Sequence, residues 1–152
     1  MGAFIGIGAL SLLNGNLLTP EDNLLLIGSL GASAVLVYGA PRSPLAQPRN
    51  LVGGHLLSAT VGVLCYLLLS PWLWLAAPLA VATAIALMHL TRTLHPPGGA
   101  TALIAVAGSD QVHALGLMFV LMPVGLGALV LLVVALLVNN LSPQRQYPEH
   151  WY

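Results

Sequence analysis

His95-Pro96-Pro97-Gly98-Gly99-Ala100-Thr101-Ala102 lays a helix-breaking turn directly against an apolar run that continues Leu103-Ile104-Ala105-Val106-Ala107. The prolines remove backbone donors and end any preceding helix, and the glycines let the backbone turn tightly and approach another group. The spacing predicts a new helix opening near Pro97 or Gly98. Its first N–H groups lack intrahelical partners and carry the positive end of the peptide dipoles, a cradle for a small anion. Thr101 adds a hydroxyl in the first turn, and His95 is the one side chain there that titrates.

Composition sets the solvent for that turn. Charged residues make up 5% of the chain and hydrophobic ones 58%, with mean hydropathy +0.92, whereas soluble domains carry roughly 25% charge. The chain is written for lipid. It has no lysine, and Arg42, Arg49, Arg92 and Arg145 balance Glu21, Asp22, Asp110 and Glu149, so there is no basic surface for nucleic acid. Cys65 is the single cysteine, which excludes an internal disulfide and a Cys-based metal cluster; it reads as a small buried apolar side chain. Met1-Gly2-Ala3-Phe4-Ile5-Gly6 has no basic start, so it reads as a retained, short membrane segment rather than a secretory leader.

Apolar stretches run at about 2–13, 24–39, 51–69, 71–91, 97–108 and 112–138. At 1.5 Å per residue a span needs about 20 residues, so the third, fourth and sixth suffice and the others are short. Short elements are either half-helices buried among long ones or helices that continue into neighbours such as Arg92-Thr93-Leu94-His95. If all six cross, the arginines fall in alternate joints and after the last element, while Glu21, Asp22 and Asp110 fall on the other side. Positive residues mark the cytoplasmic face, which places both termini inside. A four-span chain with the second and fifth elements re-entrant remains open, although it scatters the arginines over both faces.

Gly31-Ala32-Ser33-Ala34 in the second element matches Gly99-Ala100-Thr101-Ala102 in the fifth. Each is the middle element of a three-element half, and halves with an odd number of crossings insert in opposite directions, giving an inverted repeat. Such strings also arise wherever membrane helices pack closely. The predicted fold is therefore all-α, a polytopic transmembrane helical bundle of two inverted three-element repeats with short or broken middle helices. It is a single domain over 1–152, with halves at about 1–69 and 70–140 and a cytoplasmic tail at 141–152.

Candidate binding residues are His95, Pro96, Pro97, Gly98, Gly99, Ala100 and Thr101, faced by Ser29, Gly31 and Ser33, so that two short helix starts converge near the midplane. Arg49, Asn50, His55, His89 and Arg92 are candidates for a pathway or gate. His55 and His89 also fit interhelical hydrogen bonding, the commoner use of polar residues inside spans, and His113 and His150 read as interface or tail residues. No His-x-x-x-His or Glu-x-x-His pair points to a metal. The joint from Gly39 to Asn50, with Pro41, Pro44 and Pro48, predicts a stiff extended segment. Its Arg49 could draw an anion to the inner mouth, while Arg42 fits a topology anchor. Trp72 and Trp74 sit where interfacial anchors do, and Ser142 to Pro148 reads as a solvated end.

Leu26-Ile27-Gly28-Ser29-Leu30-Gly31-Ala32-Ser33-Ala34, Ser43-Pro44-Leu45-Ala46-Gln47-Pro48-Arg49-Asn50 with Gly53-Gly54-His55, and His95-Pro96-Pro97-Gly98-Gly99-Ala100-Thr101-Ala102 together resemble the HPP family of integral membrane proteins, over nearly the whole chain. The family takes its name from the triplet matched by His95, Pro96 and Pro97. The resemblance implies a small membrane domain described as having four spans. Because plant members are associated with nitrite transport across the chloroplast envelope, it also implies a nitrite-type anion transporter. Some members carry cytoplasmic nucleotide-binding modules, for which 152 residues leave no room, and the short first element is expected to begin inside a longer helix.

The functional expectation is transport of a small monovalent anion, nitrite first, with no cofactor and no enzymatic step, since no carboxylate pair, Ser-His-Asp set or metal motif is visible. The alternative is a non-transporting membrane scaffold or sensor. Expected partners are the small inorganic anion, the lipid bilayer and further copies of the chain in a homo-oligomer, and the expected location is a bacterial plasma membrane.

Overall fold

The computed structural model describes residues 1–14 and 18–151, and Gly15 to Leu17 and Tyr152 lie outside the described residues. Among the described residues the regular elements are all helical: α1 Gly2–Asn14, α2 Pro20–Ala34, α3 Pro48–Leu69, α4 Leu73–Leu90, α5 Pro97–Ala107, α6 Asp110–Leu115 and α7 Leu126–Asn139. Local chemistry explains the boundaries. Thr19 caps α2 by accepting from Asp22 N, Pro20 occupies the first turn and Glu21 and Asp22 face the dipole. The second element therefore begins four residues earlier than its apolar pattern does. Pro48 opens α3, and a tight turn at Ser70–Trp72 reverses the chain into α4. α2 widens into a π-type turn at Val35–Gly39, where Asn139 Nδ2 donates to Val37 O at 2.9 Å.

The sixth predicted element is broken rather than continuous. Gly116 takes φ +51, which ends α6, and the chain then passes a wide turn at Val120–Gly125 before α7 begins. Pro123 inside that turn has no N–H to continue a helix, and Met122 is extended. Hydropathy could not register either break, because both lie in apolar sequence.

Pairings fix the directions. Gly54 and Gly62 of α3 face His95 and Ala102, so α5 runs parallel to α3. Asp22 meets Ser109 while Ser33 meets His95, so α2 runs antiparallel to α5. Leu30 packs near Gly127, and Asn139 reaches Val37, so α7 runs parallel to α2. The chain thus passes along the bundle six times, with α6 contributing to the last turn. Among the described residues three segments, Pro20–Gly39, Pro48–Leu90 and Val120–Asn139, are long and apolar enough to cross a membrane, while Gly2–Leu13 and Pro97–Ala107 are shorter.

Arg49 donates to Thr91 O, Arg42 to Gln144 O and Arg145 to Tyr38 O, which gathers these arginines at one end of the bundle with Arg92 at the close of α4. Asp22, bonded to Ser109 beside Asp110, marks the opposite end. Two peripheral expectations change at the arginine end. The proline joint is compact rather than extended, because Pro44–Ala46 forms a tight turn capped by Ser43 and Gln47 Nε2 donates to Pro41 O and Ser43 O. The tail is docked rather than solvated: Tyr147 is buried and donates to Ala46 O at 2.8 Å, while Glu149 N and His150 N donate to Gln47 Oε1.

Close helix contact rests on two glycines. A Cβ on Gly62 would lie 2.5 Å from Ala102 O and 2.7 Å from Ala105 Cβ, and one on Gly54 would lie 2.5 Å from His95 Cβ. Gly62→Ala is therefore expected to destabilise the protein by about 1–3 kcal/mol through overpacking, measured by thermal unfolding in detergent; an unchanged midpoint contradicts the α3–α5 packing. At the far end, Asp22 accepts from Ser109 N, Ser109 Oγ and Thr19 Oγ1. Asp22→Ala strands those donors, and the same measurement is expected to show a further loss of about 1–3 kcal/mol.

Candidate functional site

After Leu90 the backbone leaves helical geometry at Arg92, whose φ is +56, and descends without regular structure through His95 to the turn at Pro96 that opens α5. At about 1.5 Å per residue, α3 spans about 33 Å, with His55 about 10 Å from its start. The descending segment meets α3 at that depth, because Thr93 and His95 lie against Gly53 and Gly54. Non-helical backbone inside an apolar bundle must find partners. Arg49 donates to Thr91 O at 2.6 Å, Asn50 Nδ2 donates to Leu94 O at 2.8 Å and Thr93 N donates to Met88 O at 2.9 Å.

The break delivers His95 into a buried knot of polar side chains. His95 Nδ1 lies 2.8 Å from Leu45 O, and His95 Nε2 lies 2.8 Å from Ser33 Oγ. Ser33 Oγ is also 2.7 Å from His55 Nε2. The other His55 nitrogen, Nδ1, is 2.8 Å from Thr101 Oγ1. Thr101 Oγ1 is 2.8 Å from Ser29 Oγ, which lies 2.9 Å from Pro97 O. A carbonyl oxygen only accepts, so His95 donates from Nδ1 to Leu45, and its tautomer is set by the joint between α2 and α3. All five side chains are buried.

No charged side chain among the described residues bonds to this knot. Asp22 is occupied at the far end, Arg49 is turned to Thr91 O and Arg42 lies 3.6 Å from Glu149. Glu21, Arg92, Asp110 and Glu149 are exposed. Toward the arginine end the polar thread continues through Thr93, whose hydroxyl is 2.8 Å from that of Thr91, and through Asn50. Toward the far end, Leu26 of α2 and Ala105 of α5 are buried apolar residues.

The predicted site residues divide. Ser29, Ser33, His95, Pro97, Gly98 and Thr101 are brought together and buried. Pro96, Gly99 and Ala100 turn outward, lining an apolar groove of about 480 Å³ with Val81, Ile85 and Leu103. Gly31 lies on another face of α2, beside Ala34 and Tyr38. Asn50 and Arg49 support the descending segment, whereas His89 and Arg92 are exposed and apart from the knot.

Two expectations about the backbone change. Gly98 N donates to His95 O at 2.8 Å and Gly99 N to Pro96 O at 3.1 Å, so the opening turn of α5 uses these amides itself. Ser29 and Ser33 sit in the C-terminal half of α2, away from its start at Pro20, so one helix start faces the body of another helix rather than a second start. The donors at this position are side chains. Among them His55 is the centre, bonded through both ring nitrogens. The signal for it was Gly54-His55 with Ser58 three residues on, a polar stripe at helical spacing on the face that α5 meets.

Comparison with known proteins agrees with this architecture. The transmembrane region of the HPP family matches residues 1–148. One transmembrane protein of Dictyostelium discoideum is 46% identical over 155 residues, covering 100% of this chain and 50% of its own length. Another from the same organism is 45% identical over 155 residues, covering 100% of this chain and 54% of its own. The chain spans about half the length of these curated relatives, and no solved structure matches it. Both relatives are named as transmembrane proteins only, and they lend no support to a bacterial membrane in particular. With its proline-interrupted helix start buried in an apolar bundle, and with the match over nearly its whole length, this integral membrane protein belongs to the HPP family.

Proposed function

We propose that the chain carries a small monovalent anion across the membrane, nitrite first and nitrate or a similar oxyanion next, through the knot formed by Ser29, Ser33, His55, His95 and Thr101. The observation that most supports this is the chemistry of the knot: three hydroxyls and two imidazoles, fully enclosed, with no carboxylate to repel an anion. Each hydroxyl can rotate to exchange an internal partner for a guest oxygen, so binding replaces hydrogen bonds rather than abolishing them. The choice of nitrite comes from the HPP resemblance and the association of plant members with that ion.

The arginine end is the side from which an anion reaches the knot in this reading. Positive charge gathers there, and Asn50, Thr91 and Thr93 continue the polar thread inward. Leu26 and Ala105 act as the apolar gate on the other side. We assign the arginine end and both termini to the cytoplasmic face of a plasma membrane. We further read the protein as a carrier without an enzymatic step or resident cofactor, working as a homo-oligomer through its exposed apolar helix faces. The fully closed hydrogen-bond network favours one other reading, a membrane scaffold or sensor that moves nothing.

Nitrite uptake into proteoliposomes separates the two. The wild-type chain is expected to take up nitrite, and Ser33→Ala and Thr101→Val, checked for folding by size-exclusion profile, are expected to lose about tenfold or more, equivalent to ~1.4 kcal/mol. His89→Gln, exposed and away from the knot, is expected to match wild type. A wild-type protein that reconstitutes but moves no nitrite supports the scaffold, and undiminished uptake by both knot variants removes the site.

A further inference from the structure

We propose that the knot takes up one proton with each anion, so that the unit carried is electrically neutral; this rests on the anion reading above. The argument is a count of hydrogens. Six contacts of 2.7–2.9 Å join Leu45 O, His95, Ser33, His55, Thr101, Ser29 and Pro97 O in one chain, with two longer branches, from Ser33 Oγ to Ser29 O at 3.3 Å and from Thr101 Oγ1 to Pro97 O at 3.5 Å, that end on carbonyls and add no hydrogen. Both ends are carbonyl oxygens, which bring no hydrogen. With both imidazoles neutral, two rings and three hydroxyls supply one hydrogen each, five for six contacts. Neutral side chains therefore leave one contact without a hydrogen, two lone pairs facing each other.

One added proton completes the chain. With His95 doubly protonated, Nδ1 donates to Leu45 O and Nε2 to Ser33. Ser33 then donates to His55 Nε2, His55 Nδ1 to Thr101, Thr101 to Ser29 and Ser29 to Pro97 O. The charge can move without displacement of any heavy atom. The N–H bond at His95 Nε2 breaks as its proton forms a new O–H bond on Ser33, and the original O–H bond breaks as that proton bonds to His55 Nε2. Ser33 ends with one hydrogen, as it began, and His55 now carries the charge. The contacts of 2.8 and 2.7 Å from Ser33 to the two Nε2 atoms suit such a relay.

The surroundings supply no counter-charge. On α2 the nearest carboxylate, Asp22, is held by Thr19 and Ser109; on α3 Arg49 is turned to Thr91 O; between α4 and α5 Arg92 is exposed, as is His89 of α4. α5 carries no titratable side chain, and neither does α7, whose Asn139 is bonded to Val37 O. A charge of either sign is costly to enclose there, so the empty knot gains the proton for its sixth contact only as the pH falls, whereas a proton and a monovalent anion entering together offset each other. The proton comes from the aqueous phase and leaves with the anion.

Two measurements on the full chain in lipid test this. In the absence of nitrite, ¹⁵N-histidine magnetic resonance against pH is expected to show the His55 and His95 rings shifting together, with one proton taken up by the pair, and Ser33→Ala is expected to make them shift separately. Wild-type rings that titrate independently, or that take up no proton, overturn the shared site. In proteoliposomes, after subtraction of uptake by protein-free vesicles, nitrite accumulation is expected to follow an alkaline interior with one proton per nitrite and to be unchanged by an imposed potential. Uptake that follows the potential, carrying net negative charge, overturns the coupling. Absence of any uptake overturns the anion reading and the coupling with it, while the resonance experiment still decides whether the two rings share a proton.

Discussion

Backbone amides cannot be left unpaired inside an apolar bundle, and the stretch from Thr91 to Pro97 is where this chain confronts that constraint. Prolines at 96 and 97 forbid a continuous helix from α4 into α5, so the segment descends without a helix of its own and must be satisfied from outside. Arg49 and Asn50 reach across from the start of α3 to Thr91 O and Leu94 O, and Gly54 lets the backbone lie flat against α3. His95 is then carried to a depth where its ring nitrogens bond Leu45 O and Ser33 and its ring packs edge-on against His55. The polar knot is a consequence of how the break is accommodated.

That break was legible before any coordinates, because two prolines followed by two glycines in an apolar chain allow few other readings. The first five helices were also legible as apolar stretches between polar or proline-containing joints, although α2 begins four residues before its apolar pattern. The sixth was not: Gly116 and Pro123 interrupt it within sequence of unbroken hydropathy. His55 was harder still. One histidine in a span looks the same whether it meets lipid, a backbone carbonyl or a second histidine, and only the pairing of α3 with α5 decides. The docked tail escaped for a related reason, since Tyr147 finds its partner Ala46 across a hundred residues of chain.

The amides at Gly98 and Gly99 teach a narrower lesson about helix starts. A tight opening turn consumes the donors that an α-helical start would leave free, so a proline-led start can appear ready for an anion and yet be satisfied internally. Here the exchangeable donors are hydroxyls and imidazoles instead. Rotatable donors suit a carrier better than fixed amides in one respect, because they can close on one another when the site is empty and spare the protein an unsatisfied interior.

Everything functional in this account depends on a small anion binding among Ser33, His55, His95 and Thr101. Ser58 offers a reporter beside the knot without being part of its network: it is one turn beyond His55, next to Gly98, and among the described residues is bonded only to Met88 Sδ at 3.6 Å. Cys65 is the single native cysteine, so Ser58→Cys in a Cys65→Ala background carries one defined thiol. In membrane vesicles that thiol is expected to react with a small methanethiosulfonate reagent at a rate that falls as nitrite is added and saturates at high nitrite. A rate unaffected by nitrite at every concentration contradicts the placement of the anion at the His95 helix break.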